Sequence, residues 1–101
     1  MLTGKQRAYL RSLANPINTI LMVGKSGIGE DLIRQADEAL TARELIKGRV
    51  LETSPVPARE AANQIARATH SESVQIIGSR FVLYRENEKD PKIVLPKPVK
   101  K

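Results

Sequence analysis

Residues 20–27, ILMVGKSG, combine four consecutive apolar residues with a tetrapeptide bounded by two glycines. A short, continuously apolar run is typical of a buried strand. Glycine allows the backbone to turn sharply, so residues 24–27 predict a tight turn after that strand. The chain then changes to helical periodicity, because one face of a helix would carry Ile28, Leu32, Ile33, Ala36 and Leu40. The stretch therefore predicts a unit of strand, turn and helix.

Helical and strand patterns alternate on either side of this unit. Thr3 and Gln6 form a capping-box pattern that opens a first helix, which Asn15-Pro16 ends. Strand character returns over residues 44–52, after the second helix. These elements predict parallel neighbouring strands, because strands that alternate with helices need crossover connections.

The C-terminal half adds a helix and a hairpin. Residues 58–69 place small and apolar side chains on one face of a third helix. Residues 74–77 and 81–84 have strand character and are joined tightly at Gly78-Ser79, which predicts a β-hairpin. The hairpin would add an antiparallel pair to the sheet.

These elements predict an α/β fold in the order α-β-α-β-α-β-β, with a mixed four-stranded sheet packed by helices. A chain of 101 residues has room for one compact domain, which we assign to residues 1–96. Residues 92–95 predict a last short edge strand. Residues 97–101 are rich in lysine and proline and predict a disordered basic tail.

The composition favours a polyanionic partner. The net charge is +6 and the sequence pI is about 10.0, and an excess of this size is typical of nucleic-acid-binding domains. Cysteine is absent, and the sequence has neither an apolar run of membrane-spanning length nor a signal-peptide pattern. We therefore expect a cytoplasmic protein with no membrane partner.

The basic residues are unevenly distributed. The first helix has no acidic residue, whereas the second carries two acidic pairs. Alternation along a strand places Lys47 and Arg49 on one face, away from Ile46 and Val50. The sequence therefore predicts one basic surface with contributions from Lys5, Arg7, Arg11, Lys47, Arg49, Arg80 and Arg85.

The glycine-bounded tetrapeptide Gly24-Lys25-Ser26-Gly27 is a candidate phosphate site. Free amides at the start of the following helix, together with the helix dipole, would favour a phosphate there. Lys25 would add a positive charge and Ser26 a hydroxyl. A GXXG loop clamps the RNA backbone in another RNA-binding fold. By itself the tetrapeptide is equally compatible with a plain connection between a strand and a helix.

No residue pattern indicates an enzyme, a metal site or a cofactor. A P-loop would need a glycine where Thr19 stands, and residues 20–23 predict a strand where the phosphate loop would lie. His70 is the one histidine, and its place near a helix end suits a structural role. We therefore predict no catalytic residue, no metal ligand, no cofactor and no small-molecule substrate.

Several blocks of the sequence together resemble the stand-alone CRM domain (chloroplast RNA splicing and ribosome maturation), the YhbY family. The blocks follow the family's order and cover residues 2–95. They are Leu2-Thr3-Gly4-Lys5-Gln6-Arg7, Leu10-Arg11-Ser12-Leu13-Ala14, Val23-Gly24-Lys25-Ser26-Gly27, Glu44-Leu45-Ile46-Lys47, Val74-Gln75-Ile76-Ile77-Gly78 and Val82-Leu83-Tyr84-Arg85.

The resemblance implies a domain similar to the C-terminal domain of translation initiation factor three. It also implies RNA binding, with ribosomal RNA of large-subunit (pre-50S) precursors as the partner, and it makes residues 24–27 the family's GxxG element. Lys5, Arg7, Arg11 and Lys47 match basic positions of the family.

Two departures from the family pattern stand out. Gly48 occupies a strand position that is usually β-branched or apolar, which predicts a weakened or bulged strand. The Ser-Pro-Val-Pro segment at residues 54–57 is also unusual. We expect both to lie away from the RNA surface.

The leading hypothesis is thus a non-catalytic RNA-binding factor in ribosome assembly. Two alternatives stay open: a protein-interaction module of a ribonucleoprotein, and a DNA-binding domain.

Overall fold

The computed structural model describes residues 2–87, 89 and 91–95, so the tail predicted at residues 97–101 lies outside the described part. The predicted order of elements is confirmed. The elements are α1 (Gly4–Ala14), β1 (Thr19–Val23), α2 (Glu30–Arg43), β2 (Leu45–Val50), α3 (Ala58–Thr69), β3 (Glu72–Ile77) and β4 (Arg80–Tyr84).

Local signals set several of the boundaries. Thr3 caps α1 as its pattern predicts: its hydroxyl accepts from the Gln6 amide at 3.1 Å, and its own amide donates to Gln6 Oε1 at 3.0 Å. His70 ends α3 in the left-handed conformation, with φ of 56°. Gly78 has φ of 58° in the turn between β3 and β4, where glycine carries no steric penalty.

The four strands form one mixed sheet in the order β1-β2-β4-β3. β1 and β2 are parallel, and β4 runs antiparallel to both β2 and β3. β4 therefore lies inside the sheet, although it is the last strand of the described residues. This order places the C-terminal ends of β1 and β2 beside the hairpin turn that joins β3 to β4.

Helices cover the two faces of the sheet unequally. α2 and α3 pack on one face, where Leu21, Ile46, Phe81 and Leu83 are buried against alanines and leucines of the two helices. α1 alone packs on the other face. The buried residues beneath it are Leu10, Ala14, Leu45, Val74, Val82 and Tyr84. One helix leaves part of this second face open.

The sheet irregularity expected at Gly48 lies instead in the neighbouring strand. β2 pairs with β4 without interruption from Leu45 to Arg49. In β1, however, Thr19 pairs with Lys47 and Leu21 with Gly48, so Ile20 is an extra residue. A bulge of this kind shifts the alternation of the strand. As a result Leu21 is buried, whereas Met22 is 55% exposed.

The edge strand predicted at residues 92–95 is wrong. The amides of Lys92 and Ile93 both donate to Oε1 of Glu44, at 2.6 and 2.7 Å, and so are not available to a strand neighbour. The Asn87 amide donates to Glu44 Oε2 at 2.7 Å. The fully buried Glu44 carboxylate thus holds the segment that follows β4, and Ile93 and Leu95 pack beside α1.

Glu44 and the nearby Tyr84 are two buried ionisable groups whose pKa values are shifted. Burial alone would raise the pKa of Glu44, but three backbone donors and the charge of Lys92 more than compensate, so its pKa lies below the ordinary value. Burial and the nearby Glu44 and Glu86 raise the pKa of Tyr84 to about 12. Within the described residues the Tyr84 hydroxyl has no hydrogen-bond partner.

Candidate nucleic-acid interface

Residues 24–27 form a tight turn at the end of β1. The Gly27 amide donates to the Gly24 carbonyl at 3.0 Å, which closes the turn. Gly27 has φ of 69°, a conformation that L side chains rarely adopt. Lys25 and Ser26 are exposed at the tip. Among the described residues, no carbonyl accepts from the amides of Lys25 or Ser26, so these amides can meet an incoming anion.

The turn rests on the segment between β2 and α3. The Leu51 amide donates to the Val23 carbonyl at 2.9 Å, which extends the pairing of β1 with β2 up to the turn. A Cβ at Gly27 would lie 3.1 Å from Pro55 Cγ. The expectation that residues 54–57 lie away from the proposed RNA surface is therefore wrong, because this segment supports the turn from behind.

The predicted role of the α2 N-terminus needs a correction. α2 begins at Glu30, so Ile28 and Gly29 separate the turn from the helix. Glu30 and Asp31 are exposed in the first turn of α2, where carboxylates complement the helix dipole. Two negative charges at this position oppose a phosphate. The candidate anion-binding groups of the loop are therefore the turn amides and Lys25, without the helix end.

Two arginines face each other across neighbouring strands near the turn. Arg49 in β2 pairs directly with Arg80 in β4, and both are exposed. Val50 follows Arg49, pairs with Val23, and donates its amide to the Ser79 carbonyl at 2.7 Å. We call this edge, formed by residues 24–27, 51–55 and 78–79, the turn end of the sheet. Arg49 and Arg80 lie at this end, on the face that carries α1.

Lys47 lies on the same face, two residues further from the turn end than Arg49. Its Nζ is 3.4 Å from the carbonyl oxygen of Asn15, just beyond the end of α1. The structure therefore brings Lys47, Arg49 and Arg80 together on one face, as strand alternation predicts for the first two.

The basic residues of α1 are placed differently. Arg7 is tied to β3, because its Nη1 donates to the Ser73 carbonyl at 2.6 Å and its Nη2 lies 3.8 Å from Glu72. Lys5 is exposed in the first turn of α1, and Arg11 is half-buried in its last turn. The first turn of α1 lies beside Tyr84, far from the turn end. Of these three residues, Arg11 lies in the turn of α1 nearest Lys47.

Arg85 lies at the opposite end of the sheet and does not join the other arginines. Its guanidinium donates to Asp37 Oδ1 at 2.6 Å, to Thr41 Oγ1 at 2.7 Å and to the Thr69 carbonyl at 2.8 Å. It therefore ties β4 to the ends of α2 and α3. The prediction that all seven basic residues form one surface is wrong for Arg85, because β4 carries it away from Arg80.

The described residues contain no group of histidine, aspartate or glutamate side chains that could hold a metal ion. No helix among them is long and apolar enough to cross a membrane. His70, at the end of α3, donates its amide to the Ala66 carbonyl and caps the helix.

Two residues of this face were not recognised from the sequence. Met22 and Ile77 are 55% and 63% exposed beside the arginines. Each belongs to an apolar stretch that reads as buried strand. The β1 bulge that exposes Met22 has no signature in the sequence, and Ile77 differs from Ile76 only in its alternation within β3.

Fold and turn together define a small α/β domain whose mixed sheet presents a glycine-bounded turn and a cationic face. The model of the CRS1 / YhbY (CRM) domain matches residues 2–85, and the chain belongs to this family. The resemblance drawn from the sequence blocks is thereby confirmed.

Relatives with names and solved structures support the assignment. The "Probable RNA-binding protein YqeI" of Bacillus subtilis is 43% identical over 96 residues, which cover 95% of this chain and 100% of that protein. An "RNA-binding protein" of Haemophilus influenzae is 36% identical and covers 95% of this chain and 96% of its own length. The solution structure of the hypothetical protein SAV1595 from Staphylococcus aureus is 50% identical, with a TM-score of 0.79, over 95% of this chain and 100% of that one.

Proposed function

We propose that this domain is a non-catalytic, cytoplasmic RNA-binding protein that binds ribosomal RNA in precursors of the large subunit. The observation that carries the proposal is the arrangement at the turn end of the sheet. There the Gly24–Gly27 turn and the Arg49–Arg80 pair occur together, and no carboxylate of the described residues forms an ion pair with either arginine. The names of the relatives and the net charge of +6 support it.

The mechanism follows from the geometry of this end. Lys25 and the amides of the turn would bind one backbone phosphate. Lys47, Arg49 and Arg80 would bind phosphates that pass across the open face. Such contacts position the nucleic acid without reading its sequence, so the shape of the RNA would select the site.

Salt dependence tests the electrostatic part of the proposal. If about five phosphates are contacted, a plot of log Kd against the logarithm of the salt concentration should have a slope of about 3.5 to 4.5. A nearly flat dependence would instead favour the protein-interaction module. Competition with duplex DNA of equal charge tests the DNA-binding alternative, because only RNA carries the 2′-hydroxyl.

The variant that tests the turn is Lys25→Glu, measured against a large-subunit RNA fragment. Lys25 is exposed, and its side chain forms no hydrogen bond or ion pair with a described residue, so the variant should fold normally and bind at least about fivefold more weakly. Lys89→Glu is the matched control, because it makes the same charge change at an exposed position near Glu44, at the opposite end of the sheet. Equal affinity of Lys25→Glu and wild type would refute the assignment of the turn.

The partner itself is tested by crosslinking in cells followed by sequencing of the attached RNA. Enrichment of large-subunit precursor sequences is the expected result. Enrichment of other transcripts alone would contradict the ribosomal part of the proposal.

A further inference from the structure

Four residues on four neighbouring strands form a row across the face that α1 leaves open. Met22 pairs with Arg49, Arg49 with Arg80, and Arg80 with Ile77. We call these residues the arginine row. Strands in a sheet are about 4.8 Å apart, so the row is about 14 Å long. Its two ends are apolar and its centre carries two positive charges.

The fold itself gains nothing from this arrangement. Like charges directly opposite each other on neighbouring strands destabilise a sheet. Neither guanidinium group makes a hydrogen bond or an ion pair with a described residue. Met22 and Ile77 are two of only four large apolar side chains in the described chain that are strongly exposed. The row thus presents two positive charges without counter-ions among the described residues and two apolar side chains exposed to water. A partner that complements it should be anionic and carry flat apolar surfaces.

A groove beside the row supplies polar groups. It has a volume of about 410 Å³, lies between the end of α1 and the sheet, and is lined by Asn15, Lys47, Gln75, Ile77 and Arg80 among others. The side-chain amides of Asn15 and Gln75 make no hydrogen bond with any described residue. An amide offers both a donor and an acceptor, which is what the edge of a nucleobase requires.

Unpaired RNA satisfies all of these groups at once. Its phosphates match the charges, its bases stack on guanidinium planes and apolar side chains, and their edges can reach the amides. A paired helix would present phosphates but keep its bases stacked inside. Phosphates alone would leave Met22 and Ile77 without a role.

We propose that the arginine row and its groove bind unpaired nucleotides of the RNA, with bases stacked on Arg49 and Arg80. This inference rests on the proposed function and adds that the bound RNA contains a bulge or single-stranded segment at this face. The Gly24–Gly27 turn holds the adjoining backbone.

The test compares two RNAs that differ in one feature. One is a blunt duplex, and the other is the same duplex with a bulge that contains 2-aminopurine, whose fluorescence falls when it stacks. The variant Arg49→Lys/Arg80→Lys keeps both charges but removes the planar guanidinium groups. We expect about tenfold weaker binding of the bulged RNA, loss of the fluorescence change, and binding of the duplex within about twofold of wild type.

Controls separate this inference from the proposed function. Arg34→Lys/Arg43→Lys makes the same chemical change at two exposed positions of α2 and should leave both affinities unchanged. Met22→Ser/Ile77→Ser, which alters no charge, should weaken binding of the bulged RNA but not of the blunt duplex. Lys25→Glu should weaken binding of both RNAs.

Two results would overturn the stacking site: unchanged 2-aminopurine fluorescence in the wild-type complex, or equal losses for bulged and blunt RNA in the double lysine variant. In either case a continued effect of Lys25→Glu would leave the proposed function standing. Failure of the wild-type protein to bind either RNA would overturn both.

Discussion

Gly48 in β2 lies directly opposite Phe81 in β4, and the phenyl ring occupies the space that a side chain at position 48 would need. A Cβ at Gly48 would lie 2.3 Å from Cζ of Phe81 and 2.5 Å from Cε1. Phe81 is one of the largest fully buried side chains. Glycine at this strand position is therefore a packing requirement of the central strands.

The first prediction is that Gly48→Ala destabilises the domain by about 2 kcal/mol, the usual effect of overpacking a core. Urea denaturation measures the change. Gly4→Ala is the control, because no atom lies within 4 Å of a Cβ at that position, and it should not lower stability. The double variant Gly48→Ala/Phe81→Leu should lose less stability than the two single variants together, because the smaller side chain makes room for the added methyl group. If the losses simply add, the Phe81 ring is not the cause of the destabilisation.

The second prediction concerns the Glu44 carboxylate. Glu44→Gln replaces one acceptor oxygen with a donor group that faces backbone N–H groups, so we expect a loss of about 2 kcal/mol. Hydrogen exchange should show faster exchange at the amides of Lys92 and Ile93 than in wild type. Unchanged protection at these amides would show that Glu44 does not hold the segment.

The same carboxylate makes stability depend on pH. The pKa of Glu44 is lower in the folded protein than in the unfolded chain. Its stabilising effect is therefore complete above the unfolded pKa of about 4.5 and is lost as the pH falls through the folded pKa. Between pH 7 and 3 the free energy of unfolding should fall more in wild type than in Glu44→Gln.

The third prediction is that Tyr84→Phe leaves stability at pH 7 unchanged or raises it, because the hydroxyl is buried without a partner among the described residues. The raised pKa means that only the neutral phenol is tolerated in the fold, so the free energy of unfolding does not depend on this group below its unfolded pKa of about 10 and falls as the pH rises from there toward 12. Ultraviolet titration should show one phenol that ionises near pH 12, and the variant should lack it.

The fourth prediction distinguishes the two glycines of the turn. Gly27→Ala should cost about 1 kcal/mol and weaken RNA binding, because φ is positive and Pro55 lies 3.1 Å from the added Cβ. Gly24→Ala should fold normally, since its Cβ would meet only Leu51 at 3.8 Å. Equal effects of the two changes on thermal stability would contradict this difference.

The fifth prediction separates the arginines at the two ends of β4. Arg85→Met should lower the free energy of unfolding by about 1–2 kcal/mol and leave RNA affinity unchanged, because its charge-assisted hydrogen bonds are internal. Arg80→Met should instead lower the RNA affinity without lowering the free energy of unfolding. Calorimetry and RNA titration of both variants measure the two effects, and a fall in RNA affinity for Arg85→Met at full stability would contradict its structural role.

Local patterns were sufficient to predict the order of the seven elements, although the edge strand that they predicted at residues 92–95 is absent. The Thr3–Gln6 capping box and the Gly78-Ser79 turn depend on residues close in sequence, and both are present as predicted. Contacts between distant residues were not accessible. Glu44 is separated from its amide donors by 43 residues or more, and β4 is inserted between β2 and β3; neither relationship leaves a local signal. The position of Arg85 follows from that strand order, so its separation from Arg80 required the structure.

The bulge at Ile20 has a consequence for the whole of β1. If Ile20 were paired with Gly48 in an unbroken ladder, Leu21 would lie opposite Arg49 and Met22 opposite Val50, so the inward and outward positions would be exchanged. The extra residue therefore keeps Leu21 and Val23 in the core and Met22 in the arginine row. A chain shortened by Ile20 would keep these orientations, because Thr19 and Leu21 already pair with the consecutive residues Lys47 and Gly48. The orientation of this uniformly apolar strand is thus determined by its register against β2.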